Sequence, residues 1–171
     1  SSRRADIIIV TKCPANLPEM ERDELLLEID PSRNQTVYFT TIVYDKPYQL
    51  FNKEPLDLTP EYAVLLVCGI ANPAPLKKHL TDSVATYDML RYADHHIFHS
   101  NDLRDIRQQF EKMKAEKKIV LTTEKDAVRL EKFIRELNDF PIYVVPIKHH
   151  FLFAGSTGFD NRVKQFVRGF Q

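Results

Sequence analysis

The sequence has no excess of either charge, since its 24 Lys and Arg residues are matched by 24 Asp and Glu residues. A nucleic-acid-binding protein ordinarily carries a clear positive balance, so we predict that this chain does not bind nucleic acid. The sequence also lacks any run of about 18 apolar residues, the length that a membrane-spanning helix requires. The apolar run in SSRRADIIIV is too short for a secretory signal peptide.

Cysteine is scarce too, with two residues among 171. Cys13 and Cys68 each end a run of β-branched and aliphatic residues, which is typical of buried thiols. We therefore predict free, buried cysteines in a reducing compartment and no disulfide. With 43% hydrophobic and 28% charged residues, the composition is that of an ordinary globular protein with a sizeable core.

Strand and helix patterns alternate along the chain. Runs rich in β-branched and aliphatic residues predict strands at residues 7–10 and in YAVLLVCGI, SVATYDML, KIVLTT and PIYVVPI. Helical periodicity or helix-starting residues predict helices at residues 18–29, in NPAPLKKHL, over residues 101–117, after a capping box of Thr123 and Asp126, and at residues 161–170. This alternation predicts an α/β fold with a mainly parallel sheet and helices on both faces.

A domain boundary is expected near residue 60. The stretch TVYFTTIVYDKPYQLF, residues 36–51, fits two paired strands or an extended connector. The segment NKEPLDLTPEY follows it, with two prolines and no hydrophobic period. We therefore predict one domain, or part of one, over residues 1–60 including a two-stranded connector, and an α/β lobe over residues 61–171.

Four polar loops follow predicted strands: TKCP, GIANP, DHHIFH and TTEKD. Ligands of open α/β sheets bind beyond the carboxyl ends of the strands, so we expect these loops to converge on one site. Each loop also has an ordinary structural interpretation. Gly69 supplies a backbone angle forbidden to other residues, Asn72-Pro73 begins a helix, and TTEKD is a helix cap with an exposed charge pair.

The stretch YADHHIFH concentrates an aspartate and three histidines between two apolar segments. One interpretation is a zinc site, because His95 and His99 are spaced to share a helix face. Another is a carboxylate and imidazole pair, in which Asp94 orients His95 so that the imidazole takes a proton from a substrate hydroxyl. His79, His149 and His150 are interpreted as surface or hydrogen-bonded core residues.

Four segments, taken in order, resemble one known family. ADIIIVTKCP, VLLVCGIANPAPLKKHL, YADHHIF and LTTEKDAVRL are similar to the carboxyl-terminal half of the tetraacyldisaccharide 4'-kinases of lipid A synthesis. The resemblance covers about residues 5–130 and continues more loosely to the end. It implies a P-loop kinase fold and an enzyme that uses ATP and Mg²⁺ to phosphorylate the 4'-hydroxyl of a tetraacylated glucosamine disaccharide 1-phosphate.

The resemblance also implies site residues, partners and a location. By motif position, Asp94 and His95 lie at the active site, where the histidine cooperates with an aspartate from the amino-terminal half to activate the sugar hydroxyl. The candidate cofactor-binding residues are Thr11 and Lys12, although Pro14 replaces the aspartate of a guanine-reading [NT]-K-x-D loop. The candidate substrate or lobe-interface residues are Asn72, Glu124, Lys125 and Asp126, and no residue is assigned to a metal. The implied partners are ATP, the glycolipid substrate and an anionic membrane surface, with a peripheral location at the cytoplasmic face of the bacterial inner membrane.

One motif of the family is missing from the chain. The glycines are Gly69, Gly155, Gly158 and Gly169, and none belongs to the phosphate-binding G-x-x-x-x-G-K-[ST] loop. We therefore expect the chain to be the second half of a kinase, with residues 1–60 ending the nucleotide-binding domain. This half is expected to bind no cofactor tightly and to be inactive alone, because the triphosphate has no cradle.

Two other classes of protein stay open from the sequence. DHH also names a motif of manganese-dependent phosphoesterases, which need further aspartate clusters upstream; here only Asp6 and Asp88 end or flank strands before Asp94. The other class is a non-catalytic α/β binding module. The carboxyl-terminal helix has two interpretations as well, because Val163, Phe166, Val167 and Phe170 form one apolar stripe. We predict that the stripe packs on the sheet, and the alternative is a membrane-facing helix.

Overall fold

The structure is a computed structural model, and it describes residues 4–169. Two compact units make up the chain. The first unit combines the chain up to Val43 with the chain from Lys148 onward, and the second unit is Tyr44–Ile147. Each unit has its own β-sheet and its own hydrophobic core.

The first unit is built on a three-stranded sheet. Its strands β1 (Ile7–Val10), β2 (Thr36–Tyr44) and β8 (Ile147–Phe151) lie in the order β1-β2-β8, and β1 is parallel to β2. Helix α1 (Glu19–Ile29) connects β1 to β2, and helix α6 (Gly155–Arg168) follows β8. The core of this unit is small, with Cys13, Leu17 and Phe39 buried at its centre.

The second unit contains a five-stranded sheet in the order β3-β7-β6-β4-β5. Its strands are β3 (Tyr48–Gln49), β4 (Ala63–Cys68), β5 (Thr86–Arg91), β6 (Lys118–Thr123) and β7 (Ile142–Val145). All neighbouring strands are parallel except β3, which runs antiparallel to β7. The helices between them are α2 (Ala74–Ser83), α3 (Ser100–Lys112), α4 (Glu124–Leu130) and α5 (Ile134–Leu137), with a 3₁₀ turn at Glu131–Phe133 between the last two.

The interior strand β4 shows why helices cover both faces of this sheet. All six of its residues are buried, as expected for a strand without a solvent-facing side. Leu65 and Val67 pack in one core with residues of α3 and α4, whereas Val64 and Leu66 pack in the other core with residues of α2. This alternation follows from the two-residue period of a strand. The predicted α/β fold with a mainly parallel sheet is confirmed.

The structure divides the chain differently from the boundary predicted near residue 60. Strand β2 hydrogen-bonds to β1 and β8, and β3 hydrogen-bonds to β7, so the two strands predicted to form a connector belong to different sheets. The segment from Lys148 onward belongs with the first unit, because β8 lies next to β2 and the amide of Leu152 donates to the carbonyl of Phe39 at 2.9 Å. Such pairing joins residues more than a hundred positions apart, which local sequence patterns do not reveal.

The prediction for the last helix is wrong in two respects. Helix α6 begins at Gly155, six residues before the predicted start, and its apolar stripe is exposed at Val163, Phe166 and Val167. Phe170 lies outside the described residues. The helix packs through its first turns instead, where Phe159 contacts Tyr38 edge to face with ring centres 5.5 Å apart. No helix within residues 4–169 is both long and apolar enough to cross a membrane.

Candidate active site

Three of the four polar loops meet at one edge of the second unit. Strands β6, β4 and β5 are parallel neighbours, so the segments that follow them leave from the same edge. The Gly69 amide, directly after β4, donates a 2.9 Å hydrogen bond to Oδ2 of Asp126, which follows β6. The predicted convergence is confirmed for these three loops. The fourth loop, TKCP, belongs to the first unit, so its convergence with the others stays a prediction.

Asp94 and His95 form the exposed part of this cluster. His95 Nε2 lies 3.6 Å from Asp94 Oδ2, and the His95 side chain is 72% exposed. His95 has a φ of 62°, in the left-handed region that few residues other than glycine adopt. The His95 amide donates to Asp94 Oδ1 at 3.0 Å, which supports this turn. Strained backbone of this kind is concentrated at functional sites, so the turn is consistent with the predicted site.

Lys125 completes the exposed group. Its Nζ donates to Asp94 Oδ1 at 2.6 Å and lies 3.4 Å from His95 Nε2. The hydrogen bond from Lys125 holds the pKa of the Asp94 carboxyl below its ordinary value, although partial desolvation opposes the shift. Asp94 is therefore an anion at neutral pH, next to the imidazole of His95.

Asp126 has a different role from the one predicted. Its side chain is completely buried, and its Oδ2 accepts hydrogen bonds from the Gly69 amide and from the Thr123 hydroxyl at 2.8 Å. Its Oδ1 lies 3.3 Å from Nη1 of Arg129. A carboxylate enclosed in this way is not accessible to a substrate or to another lobe, so Asp126 is an internal anchor that ties the loops after β4 and β6 together. Thr123 caps α4 as the capping box predicted.

Gly69 is required for space and not for an unusual backbone angle. Its φ is not positive, so the structural interpretation offered from the sequence is wrong. A Cβ atom added to Gly69 would lie 2.8 Å from the carbonyl oxygen of Ala93 and 3.3 Å from Asp126 Oδ1. The absence of a side chain is what allows the loops after β4, β5 and β6 to approach each other.

We expect Gly69→Ala to lower the free energy of unfolding by about 1–3 kcal/mol, the usual cost of overpacking a close contact. The backbone carbonyl of Ala93 must move, because it is not the end of a flexible side chain. Chemical denaturation of the chain measures this effect. Gly158→Ala is the matched control, since its Cβ meets atoms of Tyr38 no closer than 3.5 Å and alanine favours the helix interior. Equal stability of the two variants contradicts the spatial requirement at Gly69.

His96 is a structural residue beside the candidate site. Its ring stacks on Tyr92 with centres 4.6 Å apart, and its Nε2 lies 2.9 Å from Asp102 Oδ2. The amide of His99 donates to the same Asp102 oxygen at 2.8 Å, in front of the first turn of α3. The family resemblance assigned no role to either histidine. The spacing of His99 and Asp102 indicates the helix cap, because an acidic residue three positions after a cap residue ordinarily binds the cap amide.

The remaining predicted residues lie at the margins of this group. Asn72 is exposed, and its side-chain oxygen accepts from the amide of Ala74 at the start of α2, which matches its interpretation as a helix-starting residue. Glu124 is exposed and accepts from the amide of Ile147 at 3.2 Å. Thr11 and Lys12 are exposed in the first unit, and Lys12 has a φ of 62°.

Three observations concern the groups that ordinarily hold a nucleotide triphosphate or Mg²⁺. The chain has no G-x-x-x-x-G-K-[ST] sequence, and Asp94 Oδ1 is already bonded to Lys125. Among residues 4–169, no three His, Cys, Asp or Glu side chains are grouped so as to hold a metal ion. The chemistry that these residues supply is a carboxylate, an imidazole and two cations at the carboxyl edge of a parallel sheet.

A parallel α/β sheet with a polar group of this kind at its carboxyl edge is the architecture of many nucleotide-dependent enzymes. Comparison with solved structures identifies the same fold in LpxK from Aquifex aeolicus, whose crystal structure is described as an apo form in complex with ATP. The TM-score is 0.50 at 16% sequence identity, and the similarity covers 95% of this chain and 51% of that chain. The fold is therefore that of the matching half of this LpxK structure.

Sequence comparisons identify the same family as the structural similarity. The family described as LpxK, Tetraacyldisaccharide-1-P 4'-kinase, matches residues 1–168. Tetraacyldisaccharide 4'-kinases of Phocaeicola vulgatus and Bacteroides thetaiotaomicron are 35% and 33% identical, each over 96% of this chain and 47% of the relative. The Flavobacterium johnsoniae enzyme is 34% identical over 98% of this chain and 46% of its own length. The chain belongs to the tetraacyldisaccharide 4'-kinase family, and it spans about half the length of these curated relatives.

Proposed function

We propose that this chain is the carboxyl-terminal part of an ATP-dependent lipid kinase. The kinase transfers a phosphoryl group from ATP, with Mg²⁺, to the 4'-hydroxyl of a tetraacylated glucosamine disaccharide 1-phosphate. The observation that carries the proposal is the pairing of Asp94 with His95 on an exposed left-handed turn, in a chain of this family. The P-loop is proposed to lie in a segment upstream of this chain, and the two together are called the full-length kinase below.

The reaction defines what the exposed pair must do. A new bond forms between the sugar oxygen and phosphorus, the bond from phosphorus to the β-phosphate oxygen breaks, and the hydroxyl proton must leave. His95 is accessible to a substrate hydroxyl because most of its side chain faces solvent. We assign His95 to the activation of that hydroxyl, together with a carboxylate from the upstream segment, and we assign Asp94 to the placement of the imidazole. Thr11 and Lys12 remain candidates for contact with the nucleotide.

The direct test is phosphorylation of the purified disaccharide lipid by the full-length kinase, with the product identified by mass and by the position of the new phosphate. Transfer to the 4'-hydroxyl supports the proposal. A metal-dependent phosphodiesterase activity in place of transfer supports the phosphoesterase class, and the absence of either activity supports a binding module.

We also propose a peripheral location at the cytoplasmic face of the bacterial inner membrane, because the lipid substrate lies in a bilayer. Helix α6 supports this location. Phe166 and Val167 are 65% and 58% exposed, and the exposed cations Lys164 and Arg168 lie on the same helix. An exposed apolar stripe flanked by cations is typical of helices that lie in a membrane interface.

We expect the double variant Lys164→Gln, Arg168→Gln to bind vesicles that contain anionic lipid roughly 30-fold more weakly than the wild type at low salt. This factor corresponds to about 1 kcal/mol for each cation. Arg162 is kept, because its Nη2 donates to the carbonyl of Asn34 and its replacement removes this contact within the first unit. Vesicle flotation measures the effect, with Lys77→Gln, Lys78→Gln on α2 as the control of equal charge. Equal binding by the two double variants rejects the membrane role of α6.

A further inference from the structure

Arg129 is a polar neighbour of the candidate site to which the sequence analysis assigned no role. Its guanidinium lies between the buried and the exposed halves of the cluster. Nη1 is 3.3 Å from Asp126 Oδ1, and Nη2 is 3.2 Å from Nδ1 of His95. A planar guanidinium presents its donors in a fixed arrangement, so one side chain bonds two partners at a defined angle.

The contact with Arg129 determines which nitrogen of His95 carries the proton. A guanidinium only donates, so Nδ1 must accept and must be unprotonated when the two are in contact. In the neutral ring the single proton then lies on Nε2. Nε2 faces Asp94 Oδ2 at 3.6 Å, so the proton points toward a carboxylate.

Lys125 competes with this arrangement, because its ammonium lies 3.4 Å from Nε2 and also only donates. A neutral imidazole has one free lone pair in the ring plane and therefore accepts from one of the two cations. Two observations favour Arg129. Lys125 is satisfied by Asp94 at 2.6 Å, and its contact with the imidazole is the longer of the two.

The bond between Arg129 and the buried Asp126 is a third reason to favour Arg129 as the donor to His95. Asp126 is completely buried and is held by the Gly69 amide and the Thr123 hydroxyl, so its position is set by the ends of β4 and β6. The Arg129 side chain is 23% exposed, compared with 41% for Lys125. A cation bonded to a buried carboxylate has fewer alternative positions than a lysine at the surface.

We propose that Arg129, held by the buried carboxylate of Asp126, is a positioning residue that fixes the ring of His95 with Nδ1 as acceptor and the proton on Nε2. In this arrangement His95 presents an N–H donor to a carboxylate through Nε2. The ring geometry and tautomer stand on the contacts alone, whereas their importance for turnover rests on the proposed kinase function. In the proposed kinase, the Nε2–H group is 3.6 Å from Asp94, which is longer than a hydrogen bond, and is therefore available to donate to the upstream carboxylate that receives the hydroxyl proton.

Ring nitrogen signals in a long-range ¹H–¹⁵N spectrum test the tautomer in this chain. The spectrum is recorded at about pH 8.5, where an ordinary imidazole is neutral, and His95→Gln identifies the His95 signals. We expect the wild type to show a protonated Nε2 and an unprotonated Nδ1. In Arg129→Met we expect Lys125 to bond Nε2, so that most of the proton moves to Nδ1. Lys125→Met is the matched control, because it removes the competing cation, and we expect it to keep the wild-type tautomer.

A wild-type ring protonated on Nδ1 overturns the inference, and so does an Arg129→Met spectrum that matches the wild type. Backbone amide spectra verify that the variants are folded. If Arg129→Met does not fold, Arg129→Lys replaces it. This variant keeps the charge, but its single nitrogen is expected to bond Asp126 and leave His95. Loss of the wild-type tautomer in that variant supports the inference, and its retention overturns it.

The catalytic consequence is measured in the full-length kinase. We expect Arg129→Lys to lower kcat by roughly 10²-fold, the effect of a misplaced reacting group, with KM for ATP and for the lipid unchanged. An unchanged kcat with the tautomer lost overturns the positioning role in catalysis. A wild-type kinase that transfers no phosphate overturns the proposed function instead, and the spectra still decide whether Arg129 fixes the ring.

Discussion

His95→Ala in the full-length kinase is expected to lower kcat by about 10²–10⁴, the usual contribution of a positioned acid or base. The imidazole is 72% exposed, so we expect its removal to leave the packing of the second unit intact. We therefore expect the loss in turnover without a comparable loss in the free energy of unfolding. Steady-state kinetics and chemical denaturation of the same variant separate the two quantities.

His96→Ala is the matched control for this prediction, because it removes the neighbouring imidazole. His96 stacks on Tyr92 and bonds Asp102, so its loss is expected to lower stability by about 1–2 kcal/mol with little change in kcat below the unfolding transition. Equal losses of kcat for the two variants contradict a separate role for His95 and indicate that the histidines act as one structural or metal-binding unit.

The 171-residue chain by itself is expected to transfer no phosphate to the disaccharide lipid above a control without enzyme. Kinases bind the triphosphate through a row of backbone amides and a lysine in the P-loop, and these groups stabilise the charge that develops during transfer. The four glycines of the chain lie outside any such motif. The effect is a complete loss of turnover, which exceeds what the removal of a single side chain produces.

A radiolabelled ATP assay measures this loss, with the full-length kinase as the positive control. Circular dichroism of the chain, compared before and after heating, establishes that an inactive sample is folded. Phosphorylation of the lipid by the folded chain alone contradicts the prediction and requires a phosphate-binding site that is built without a P-loop.

The candidate site was predictable from sequence to the extent that its residues follow parallel strands. GIANP, DHHIFH and TTEKD come directly after strands with recognisable apolar runs, and the carboxyl ends of parallel strands meet at one edge. Arg129 lies one helical turn after Asp126 in α4, so it does not directly follow a strand. Its pairing with Asp126 at a spacing of three helix positions is a local pattern, but its contact with His95 depends on how β5 and β6 place their loops.

The predictions that failed depended on burial and on distant pairing. Asp126 was expected to face a substrate or another lobe because of its position in the TTEKD segment that resembles the kinase family. It is buried because the Gly69 amide and Arg129 supply it with partners from two different segments. The stripe on α6 was expected to pack on the sheet, but the helix starts earlier and packs through Phe159.

The sequence by itself determined the alternation of strands and helices, the parallel sheet and the convergence at its carboxyl edge of the loops that carry Asp94, His95 and Lys125. These features depend on hydrophobic periodicity and on polar residues directly after strands, which are local properties. Only the tertiary structure decided that β8 belongs with β2, that Asp126 is an anchor and that Arg129 contacts His95. These features depend on side chains and strands that are distant in sequence and meet only after the sheets have formed.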